Sequence, residues 1–327
     1  MNVAIIGCGL IGGKRAAHLG DDDRLVAVCD VNETAMVRVA GGRGCVCTTD
    51  WRAVVARGDV EAVIVATPHD LLAPITLAAI QAGKHVLVEK PAARRAAELA
   101  PVCAAWRAHA GRLVVKVGFN HRFHPAMQKA RELIDRGVLG PLMFLRGRYG
   151  HGGRLGYEKE WRAQPDRSGG GELLDQGTHL IDLSRWYLGE LRVVTGLMRT
   201  YFWQMPVEDN AFLLLETAGG QIAQLHVSWT EWKNLFSLEI YGRDGKLHIE
   251  GLGGSYGVER LAHYAMGPEM GPPTTTIYEY PGADVSWQRE YANFKAAVMG
   301  AAEPLGTLED AYHVLCLVDA IYQRRDR

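Results

Sequence analysis

Short apolar runs alternate with amphipathic segments along the first third of the chain. The apolar runs are typical of buried strands and occur in VAIIG, LVAVC, VEAVIVA, HVLV and LVVKV. Helical patterns lie between them, including LLAPITLAAIQAG and residues 92–110. This alternation predicts a parallel sheet covered by helices on both faces. Ligands of such sheets bind at the carboxyl ends of the strands, so we expect a binding site there.

The composition predicts an ordinary cytoplasmic protein of two domains. The chain has 327 residues, and its 36 Lys and Arg balance 37 Asp and Glu. This balance argues against nucleic acid or an anionic membrane as a partner. The chain shows no signal-peptide pattern at its start and no apolar run long enough to span a bilayer. The six cysteines are scattered, which is typical of reduced thiols rather than of a disulfide framework.

The first predicted strand runs into a glycine pattern typical of dinucleotide-binding proteins. Gly7, Gly9 and Gly12 fit GxGxxG between a strand and a helix. The pattern places a pyrophosphate at the amino terminus of that helix. Asp30 ends the next strand, 18 residues after Gly12, where an acid binds ribose hydroxyls and repels a 2′-phosphate. We therefore expect NAD rather than NADP, and a turn-capping aspartate is the alternative.

Three basic side chains lie close to the same predicted edge of the sheet. Lys14 and Arg15 follow the glycines and would add some affinity for phosphate. Lys90 follows the strand HVLV and precedes Pro91, which cannot extend the hydrogen bonding of the strand. A lysine at this position lies near a bound dinucleotide. The alternative is a solvated lysine paired with Glu89.

Further along the chain, GGGELLDQGTHLIDL places Asp175 and His179 four residues apart, behind glycines 169–171. Residues at this spacing share one face of an α-helix. The pair is compatible with a catalytic acid and imidazole. It is equally compatible with an intrahelical pair in which Asp175 favours the positive end of the helix dipole.

Two pairs of residues have a spacing that occurs in metal sites. Cys45 and Cys47 form CxC, and His121 and His124 lie three residues apart. Neither pair is followed by the further Cys, His or acidic partner that a metal site needs, so we predict no metal site.

Several segments together resemble one family. They are GCGLIG at 7–12, ATP at 66–68, AGKHVLVEKP at 82–91, GFNHRFHPA at 118–126 and GGGELLDQGTHLIDL at 169–183, with Asp30 between the first two. From residue 1 to about 190 the chain resembles the glucose–fructose oxidoreductase/inositol dehydrogenase (Gfo/Idh/MocA) family. The resemblance implies an NAD-binding Rossmann domain over 1–120. It also implies a substrate-binding and oligomerisation domain over 121–327, an α/β domain with a large, mainly antiparallel open sheet, whose carboxyl-terminal helix packs back on the first domain.

The resemblance implies a catalytic set of Lys90, Asp175 and His179. The implied reaction is oxidation of a secondary sugar alcohol, with hydride transfer to the nicotinamide. His179 would act as the general base, Lys90 would stabilise the developing alkoxide, and Asp175 would hold the histidine or the hydroxyl in place. The proton acceptor stays open between Lys90 and His179, because the two groups are expected to titrate as a coupled pair.

The resemblance also implies two sets of binding residues. The cofactor set, for NAD, is Gly7, Gly9, Leu10, Ile11, Gly12, Asp30, Thr67, Pro68, His69, Glu89, Lys90, Trp161 and Arg162. The substrate set is Asn120, Arg122, His151, Arg154 and Tyr157. One departure affects the loop ATPHDLLAP, where His69 replaces an Asn found in many relatives and Leu72 replaces a frequent His. The glycine-, arginine- and aromatic-rich segment 146–171 is predicted to line the sugar site, and a solvated loop is the alternative.

The second half of the chain shows strand patterns in VEDNAFLLLE, GQIAQLHVSW, FSLEIYGRDG and GKLHIEG. Turns at 218–220 and 243–245 join them. In this family the sheet often carries the oligomer interface, so the resemblance implies a homo-oligomer, a dimer or a tetramer. Trp229, Trp232 and Phe236 would contribute to that face, and ordinary core packing is the alternative.

The chain resembles most the sugar 3-dehydrogenases that make a 3-keto sugar for a partner aminotransferase. Such enzymes act on nucleotide sugars or on aminoglycoside precursors, as in antibiotic biosynthesis. The alternatives are an NAD(P)H-dependent ketosugar reductase, an inositol-type polyol dehydrogenase and a non-catalytic NAD-binding regulator. A hydrolase that uses NAD transiently is a further alternative, for which the chain shows no clear sign of the required acceptor site.

Overall fold

The computed structural model describes residues 1–109, 111–269 and 271–324. These residues form two compact units that are not continuous in sequence. The first unit contains residues 1–119 apart from those not described, the short segment Asp166–Gly169, and Trp287–Leu315. The second unit contains Asn120–Pro165, Gly170–Ser286 and the described residues from 316 onward.

The first unit is built on a six-stranded parallel sheet, counted over the described residues. The strand order is β3-β2-β1-β4-β5-β6. The central strands are fully buried apolar runs, as expected for a parallel sheet covered on both faces. The predicted parallel sheet is therefore confirmed. The strands are β1 Asn2–Ile6, β2 Arg24–Cys29, β3 Val46–Thr48, β4 Ala62–Val65, β5 His85–Val88 and β6 Val115–Val117.

Five helices connect these strands, and one of them begins later than predicted. The pattern of residues 92–110 predicts a helix from Ala92, but the helix starts at Ala96. Ala92 has φ 73°, a left-handed conformation that cannot start an α-helix, and Arg95 is extended. Residue 110, at the predicted end, lies outside the described residues. The helices are α1 Leu10–Ala17, α2 Glu33–Ala40, α3 Trp51–Val55, α4 His69–Gln81 and α5 Ala96–Ala108.

The second unit is built on an eight-stranded sheet, again counted over the described residues. Its order is β14-β13-β12-β11-β7-β10-β9-β8, with β7 and β10 parallel and the other neighbours antiparallel. The predicted mainly antiparallel sheet is therefore confirmed. The strands are β7 Leu142–Gly150, β8 Leu191–Arg199, β9 Asn210–Thr217, β10 Ile222–Ser228, β11 Leu235–Gly242, β12 Gly245–Glu250, β13 Glu259–Ala265 and β14 Thr274–Tyr280.

The remaining helices follow β6 in the chain. Pro125 begins α6, where proline suits the first helical position because its missing N–H needs no partner there. A π-helical segment, Leu173–Gly177, leads directly into α8. The helices are α6 Pro125–Asp135, α7 Pro165–Ser168, α8 Thr178–Leu188, α9 Ser286–Val298 and α10 Leu308–Gln323. Among the described helices, none is both long and apolar enough to cross a membrane.

Strand β7 contradicts the solvated-loop alternative for the start of segment 146–171, because residues 146–150 are not part of a loop. Leu145, Gly147 and Tyr149 are buried, while Arg146 and Arg148 point to the other, exposed face. A Cβ built on Gly147 would lie 3.1 to 3.3 Å from side-chain atoms of Leu225 and Leu180. The glycine therefore permits close packing of β7 against its neighbours, and it is not a sign of a loop.

Two of the three aromatic residues predicted at an oligomer face lie in the core instead. Trp229 and Phe236 have 0% and 2% of their surface exposed. Their size makes them large contributors to the apolar core of the second unit. Trp232 is 63% exposed, so it alone of the three is accessible on the surface of this unit.

The cysteines divide into buried and accessible thiols. Burial raises the pKa of Cys8 to about 12 and that of Cys103 to about 11. Cys47 is exposed. Because the thiolate is the reactive form, the buried thiols should be inert in the native state.

We expect Cys47 to be the first thiol that reacts with Ellman's reagent in the native protein. Cys47→Ser should remove the fast phase of the reaction, while Cys103→Ser should leave that phase unchanged. Rapid loss of all six thiols without denaturant would show that the buried cysteines are accessible.

Candidate active site

The glycine-rich turn after β1 is shaped by close backbone contacts. Gly7 has φ 97°, and a Cβ there would collide with the backbone of Ala66. A Cβ on Gly12 would collide with the carbonyl group of Gly7. These two positions therefore require glycine so that the turn can close and α1 can approach β1.

The start of α1 has the features of a phosphate-binding helix terminus. Gly9 is the residue that caps α1, and its helix receives no hydrogen bond from a capping side chain. No described atom lies within 4 Å of a Cβ built on Gly9. The backbone N–H groups of the first turn, including Leu10 and Ile11, are thus suited to a pyrophosphate at this end of the dipole. The residues present fit a dinucleotide.

Asp30 is fixed beside this turn by two backbone donors. Cys8 N donates to Asp30 Oδ2 at 2.6 Å, and Asn32 N donates to Oδ1 at 2.8 Å. A carboxylate has about four acceptor sites, so these bonds leave capacity for ribose hydroxyls. The strand order β2-β1-β4-β5 sets Asp30, the glycine turn, Thr67-Pro68 and Lys90 side by side along the carboxyl edge of the sheet.

The loop after β4 holds a histidine that is directed away from solvent. Thr67 and Pro68 are half-buried, whereas His69 is 4% exposed. The Nδ1 atom of His69 lies 2.8 Å from the carbonyl oxygen of Ser168. His69 therefore connects this loop to the segment Asp166–Gly169 of the same unit, which is a structural contact that the sequence did not indicate.

A buried cluster of charges supports the residue before Lys90. Arg15 Nε donates to Glu89 Oε1 at 2.7 Å, and Arg15 Nη1 lies 2.6 Å from Glu290 Oε2. Lys116 Nζ lies 3.7 Å from the other oxygen of Glu290. Arg15 is 1% exposed and also lies over the ring of Trp287 at 4.6 Å. We refer to Arg15, Glu89, Glu290 and Lys116 as the Arg15 cluster.

The Arg15 cluster corrects the expectation that Arg15 adds affinity for phosphate, because its guanidinium is committed to two carboxylates. Burial raises the pKa of Glu89, and the Arg15 charge partly offsets this effect. Burial acts to lower the pKa of Arg15, but Glu290 and Glu89 outweigh it and the pKa rises. Lys90 follows Glu89 and is half-buried.

The segment that holds Asp175 and His179 is not a regular α-helix. Asp175 lies in the π-helical segment Leu173–Gly177, whereas His179 lies in the first turn of α8. The prediction that Asp175 and His179 lie four residues apart on one regular α-helix is therefore wrong, because the wider π-helical turn lies between them. Single π-helical turns of this kind are frequent at functional sites.

The glycines before this segment are positions of close packing. A Cβ on Gly170 would collide with the phenol of Tyr322, and one on Gly171 would collide with the backbone of Glu208. Glu208 Oε1 accepts hydrogen bonds from Gly171 N at 3.0 Å and Leu173 N at 3.2 Å. Tyr322 Oη donates to the same oxygen at 2.6 Å. Glu208 is a positioning residue that the sequence analysis missed, and an acid inside the strand pattern VEDNAFLLLE was the available signal.

Asp175 forms an ion pair with a residue that the sequence assigned to the cofactor. Arg162 Nε donates to Asp175 Oδ2 at 2.8 Å, and the guanidinium lies 4.6 Å from the ring of Trp161. Burial acts to lower the pKa of Arg162, but the Asp175 charge outweighs it and the pKa rises. Within the second unit, Arg162 therefore balances the carboxylate of Asp175.

His179 is stacked on a second imidazole. The ring centroids of His121 and His179 are 3.8 Å apart, with 28° between the planes. Both residues are 5% exposed. His121 Nδ1 lies 3.2 Å from Asn120 Oδ1, and Asn120 Nδ2 donates to Ser286 Oγ at 2.9 Å. Tyr149 packs against His121 with a centroid distance of 5.1 Å.

Arg122, from the substrate set, is held inside the second unit. Its Nε and Nη2 atoms donate to Asp182 at 2.8 and 2.5 Å, and Arg122 is 3% exposed. This bidentate ion pair joins the turn Asn120–Phe123 to α8, and thereby fixes the position of His121 relative to His179. Arg122, which the resemblance assigned to the substrate, therefore stabilises the interior of the second unit.

The other predicted substrate residues differ in exposure. Tyr157 is 2% exposed and packs against Trp229 at 4.9 Å between ring centroids, so its ring lies in the core. Arg154 is exposed and donates to Glu160 at 2.8 Å. His151 is half-buried, and burial lowers the pKa of its imidazole.

In the described ranges, no group of three or more His, Cys, Asp or Glu side chains could hold a metal ion.

Comparisons with known proteins agree with this architecture. Residues 1–118 match the model "Oxidoreductase family, NAD-binding Rossmann fold", and residues 127–248 match "GFO/IDH/MocA C-terminal domain". Inositol 2-dehydrogenase 3 of Saccharopolyspora erythraea is 31% identical over 257 residues, which are 76% of this chain and 73% of that protein. The chain belongs to the Gfo/Idh/MocA family. It is an oxidoreductase with an NAD-binding Rossmann domain, and the predicted family, fold class and cofactor are confirmed.

Other relatives act on different sugars. Levoglucosan dehydrogenase of Pseudarthrobacter phenanthrenivorans is 34% identical over 175 residues, which are 53% of this chain and only 44% of that protein. A dTDP-3,4-didehydro-2,6-dideoxy-alpha-D-glucose 3-reductase of Streptomyces violaceoruber is 36% identical over 63% of this chain and 59% of that protein. The structure of GenD2 from gentamicin A biosynthesis in complex with NAD is 28% identical, with a TM-score of 0.84, and covers 100% of this chain and 94% of that chain.

We expect the carboxylate of Asp30 to determine the choice of cofactor. Asp30→Asn should raise the Kd for NAD about tenfold, because a hydrogen bond to a charged group contributes ~1.5–3 kcal/mol. It should also weaken discrimination against NADP, since the charge that repels a 2′-phosphate is lost. Fluorescence titrations with both dinucleotides measure the change, and Asp21→Asn on an exposed residue is the control. An unchanged ratio of the two affinities would argue against the assigned role of Asp30.

We expect the Arg15 cluster to contribute to the stability of the first unit. Arg15→Met should lower the free energy of unfolding by about 3–5 kcal/mol, because it leaves buried carboxylates without their cation. Combining it with Glu89→Gln should recover part of the loss, since Glu290 retains Lys116 at 3.7 Å. Urea denaturation of both variants measures this. Lys14→Met, on the exposed neighbour, should change stability by less than about 0.5 kcal/mol.

Proposed function

We propose that the chain is an NAD-dependent dehydrogenase that oxidises a secondary hydroxyl, at C3, of a sugar moiety. The proposed substrate is an aminoglycoside precursor or a nucleotide sugar, and the product is a ketone for later transamination. The similarity to GenD2 over the whole chain supports this substrate class. The observation that carries the proposal is the buried His179, with its stacked imidazole, next to the ion-paired Asp175 on one segment.

The proposed catalytic set is Lys90, Asp175 and His179. NAD, when bound, supplies the hydride acceptor. His179 takes the proton of the substrate hydroxyl, because an imidazole titrates near neutral pH. Lys90 donates a hydrogen bond to the same oxygen and stabilises the alkoxide charge as the carbonyl forms. Lys90 is the alternative acceptor of that proton, because both side chains are proposed to contact the same oxygen.

Asp175 has an electrostatic role in this proposal. Its carboxylate is shared with Arg162 at 2.8 Å, so the pair adds no net charge to the surroundings of His179. A single unpaired carboxylate would raise the pKa of a neighbouring imidazole and leave less of it in the neutral, proton-accepting form near pH 7. Trp161 and Arg162, assigned to the cofactor from the resemblance, remain proposed as cofactor contacts, with Arg162 now also acting on Asp175.

Two specific observations favour alternative functions. The 36% identity to the dTDP-sugar 3-reductase favours reduction of a ketosugar, and the same residues would serve that direction by microscopic reversibility. The match to inositol 2-dehydrogenase 3 favours a cyclic polyol as substrate. Both alternatives keep the cofactor and the catalytic set, and they differ in the oxidation state or the ring of the substrate.

We also propose a cytoplasmic homo-oligomer formed through the sheet of the second unit, with the product passed to an aminotransferase. The registers of β8, β9 and β10 align Leu197, Phe212 and His226 on one face of that sheet. Leu197 is 54% exposed and Phe212 is 39% exposed. Exposed apolar side chains in neighbouring strands are compatible with an interface between copies of this chain.

The decisive experiment follows NADH absorbance with two substrate panels and NAD or NADP. One panel holds nucleotide hexoses, and the other holds aminoglycoside pseudo-disaccharides and pseudo-trisaccharides with an unmodified hexose. A carbonyl trap removes the ketone, because its formation is uphill. NADH formed with one panel identifies the substrate class. No signal with either panel, together with NADH consumption by a ketosugar, would make the enzyme a reductase, and silence throughout despite NAD binding would favour the regulator.

Lys90→Met tests the mechanism on the active panel. It should lower kcat by at least about a hundredfold, because it removes the donor to the developing alkoxide. The Kd for NAD should stay within a few-fold of the wild-type value. Lys129→Met, on a half-buried lysine of α6 that pairs with Glu132, should leave kcat unchanged. Full turnover in the Lys90→Met variant would contradict the assigned role.

A further inference from the structure

The two stacked histidines come from different elements of the second unit. His179 lies in α8, and His121 lies in the turn Asn120–Phe123. Their rings are nearly parallel, and their centroids are 3.8 Å apart. The bidentate pair between Arg122 and Asp182 joins the same two elements, so the stack is held in place by an adjacent ion pair. The contact is therefore a fixed part of the site.

The hydrogen bonds around His121 indicate which of its two ring nitrogens carries a hydrogen. Asn120 Nδ2 donates to Ser286 Oγ, which leaves Asn120 Oδ1 as the acceptor facing His121 Nδ1. His121 Nδ1 therefore carries a hydrogen, and a second proton would have to enter at Nε2. A proton on either ring changes the charge that the other ring faces at 3.8 Å. Two buried imidazolium rings at this distance repel strongly, so the pair takes up one proton far more readily than two.

Several charged or titratable groups lie around the stack. His124, 5.5 Å from the ring of His121, contacts Glu259 at 2.8 Å, with Asp284 at 3.9 Å on its other side. Burial raises the pKa of Tyr149 well above its usual value, and Glu172 raises it further. Burial also raises the pKa of Tyr256, beside Tyr149, to about 12. The groups with ion-pair partners in this region are Asp175 with Arg162, and Asp182 with Arg122.

We propose that His121 is a positioning residue that competes with His179 for a single proton and so keeps His179 in its proton-accepting form near neutral pH. This inference rests on the proposed function of His179 as the general base. Protonation of His121 makes protonation of His179 less favourable, and the base thus stays neutral as the medium becomes mildly acidic. The ring of His121 also fixes the plane of the His179 ring.

His121→Phe is the direct test, because phenylalanine keeps an aromatic ring in the stack but takes up no proton. We expect the acidic limb of the pH profile of kcat/KM to move upward by about half a unit to one unit, since the competitor for the proton is gone. His226→Phe is the matched control, because His226 is also stacked, on Phe212 at 4.2 Å. It should leave the limb in place. An unmoved limb in folded His121→Phe would overturn the inference.

A second measurement needs no substrate. NMR titration of histidine-labelled protein should show His179 taking up its proton at higher pH in His121→Phe than in the wild type. His121→Gln serves the same purpose if the phenylalanine variant does not fold. Absence of sugar oxidation with a shifted His179 titration would reject the proposed function and keep the coupling. Sugar oxidation with an unshifted titration would reject the coupling and keep the function.

Discussion

The buried guanidinium of Arg15 is the interaction on which the cofactor-binding unit depends. It joins α1, which begins at the glycine turn, to the residue before Lys90 and to Glu290 in α9. A charge with 1% exposure is tolerated only when its partners are themselves held in place. The same contacts therefore set the distance between the glycine turn after β1 and the end of β5, which Lys90 follows.

In the second unit, too, buried charged side chains have partners that hold them in place. Asp175 is matched by Arg162, Asp182 by Arg122, and Glu259 by His124. The partners in these pairs are 13, 60 and 135 residues apart in sequence. The stacked imidazoles of His121 and His179 therefore lie among charged side chains that already have partners.

Local patterns were sufficient for much of the first unit. GxGxxG, the acid after β2 and the apolar runs each follow from short-range backbone chemistry, and they predicted the parallel sheet. The burial of Arg15 could not be predicted, since Glu290 lies 275 positions further along the chain. In the second unit, β7 was hidden because glycine and arginine mask its alternation. The partners of Asp175 and His179 were hidden because Arg162 and His121 approach from other segments.

The π-helical turn at Leu173–Gly177 has a consequence for how the family's sequences can change. Such a turn is equivalent to one residue inserted into an α-helix. Deleting one residue there would restore the regular repeat and rotate the residues on one side by about 100° relative to the other. Asp175 and His179 would then no longer point in the same relative directions, although both side chains would still be present. The length of this five-residue segment therefore fixes the relative orientation of the two side chains as strictly as their identity does.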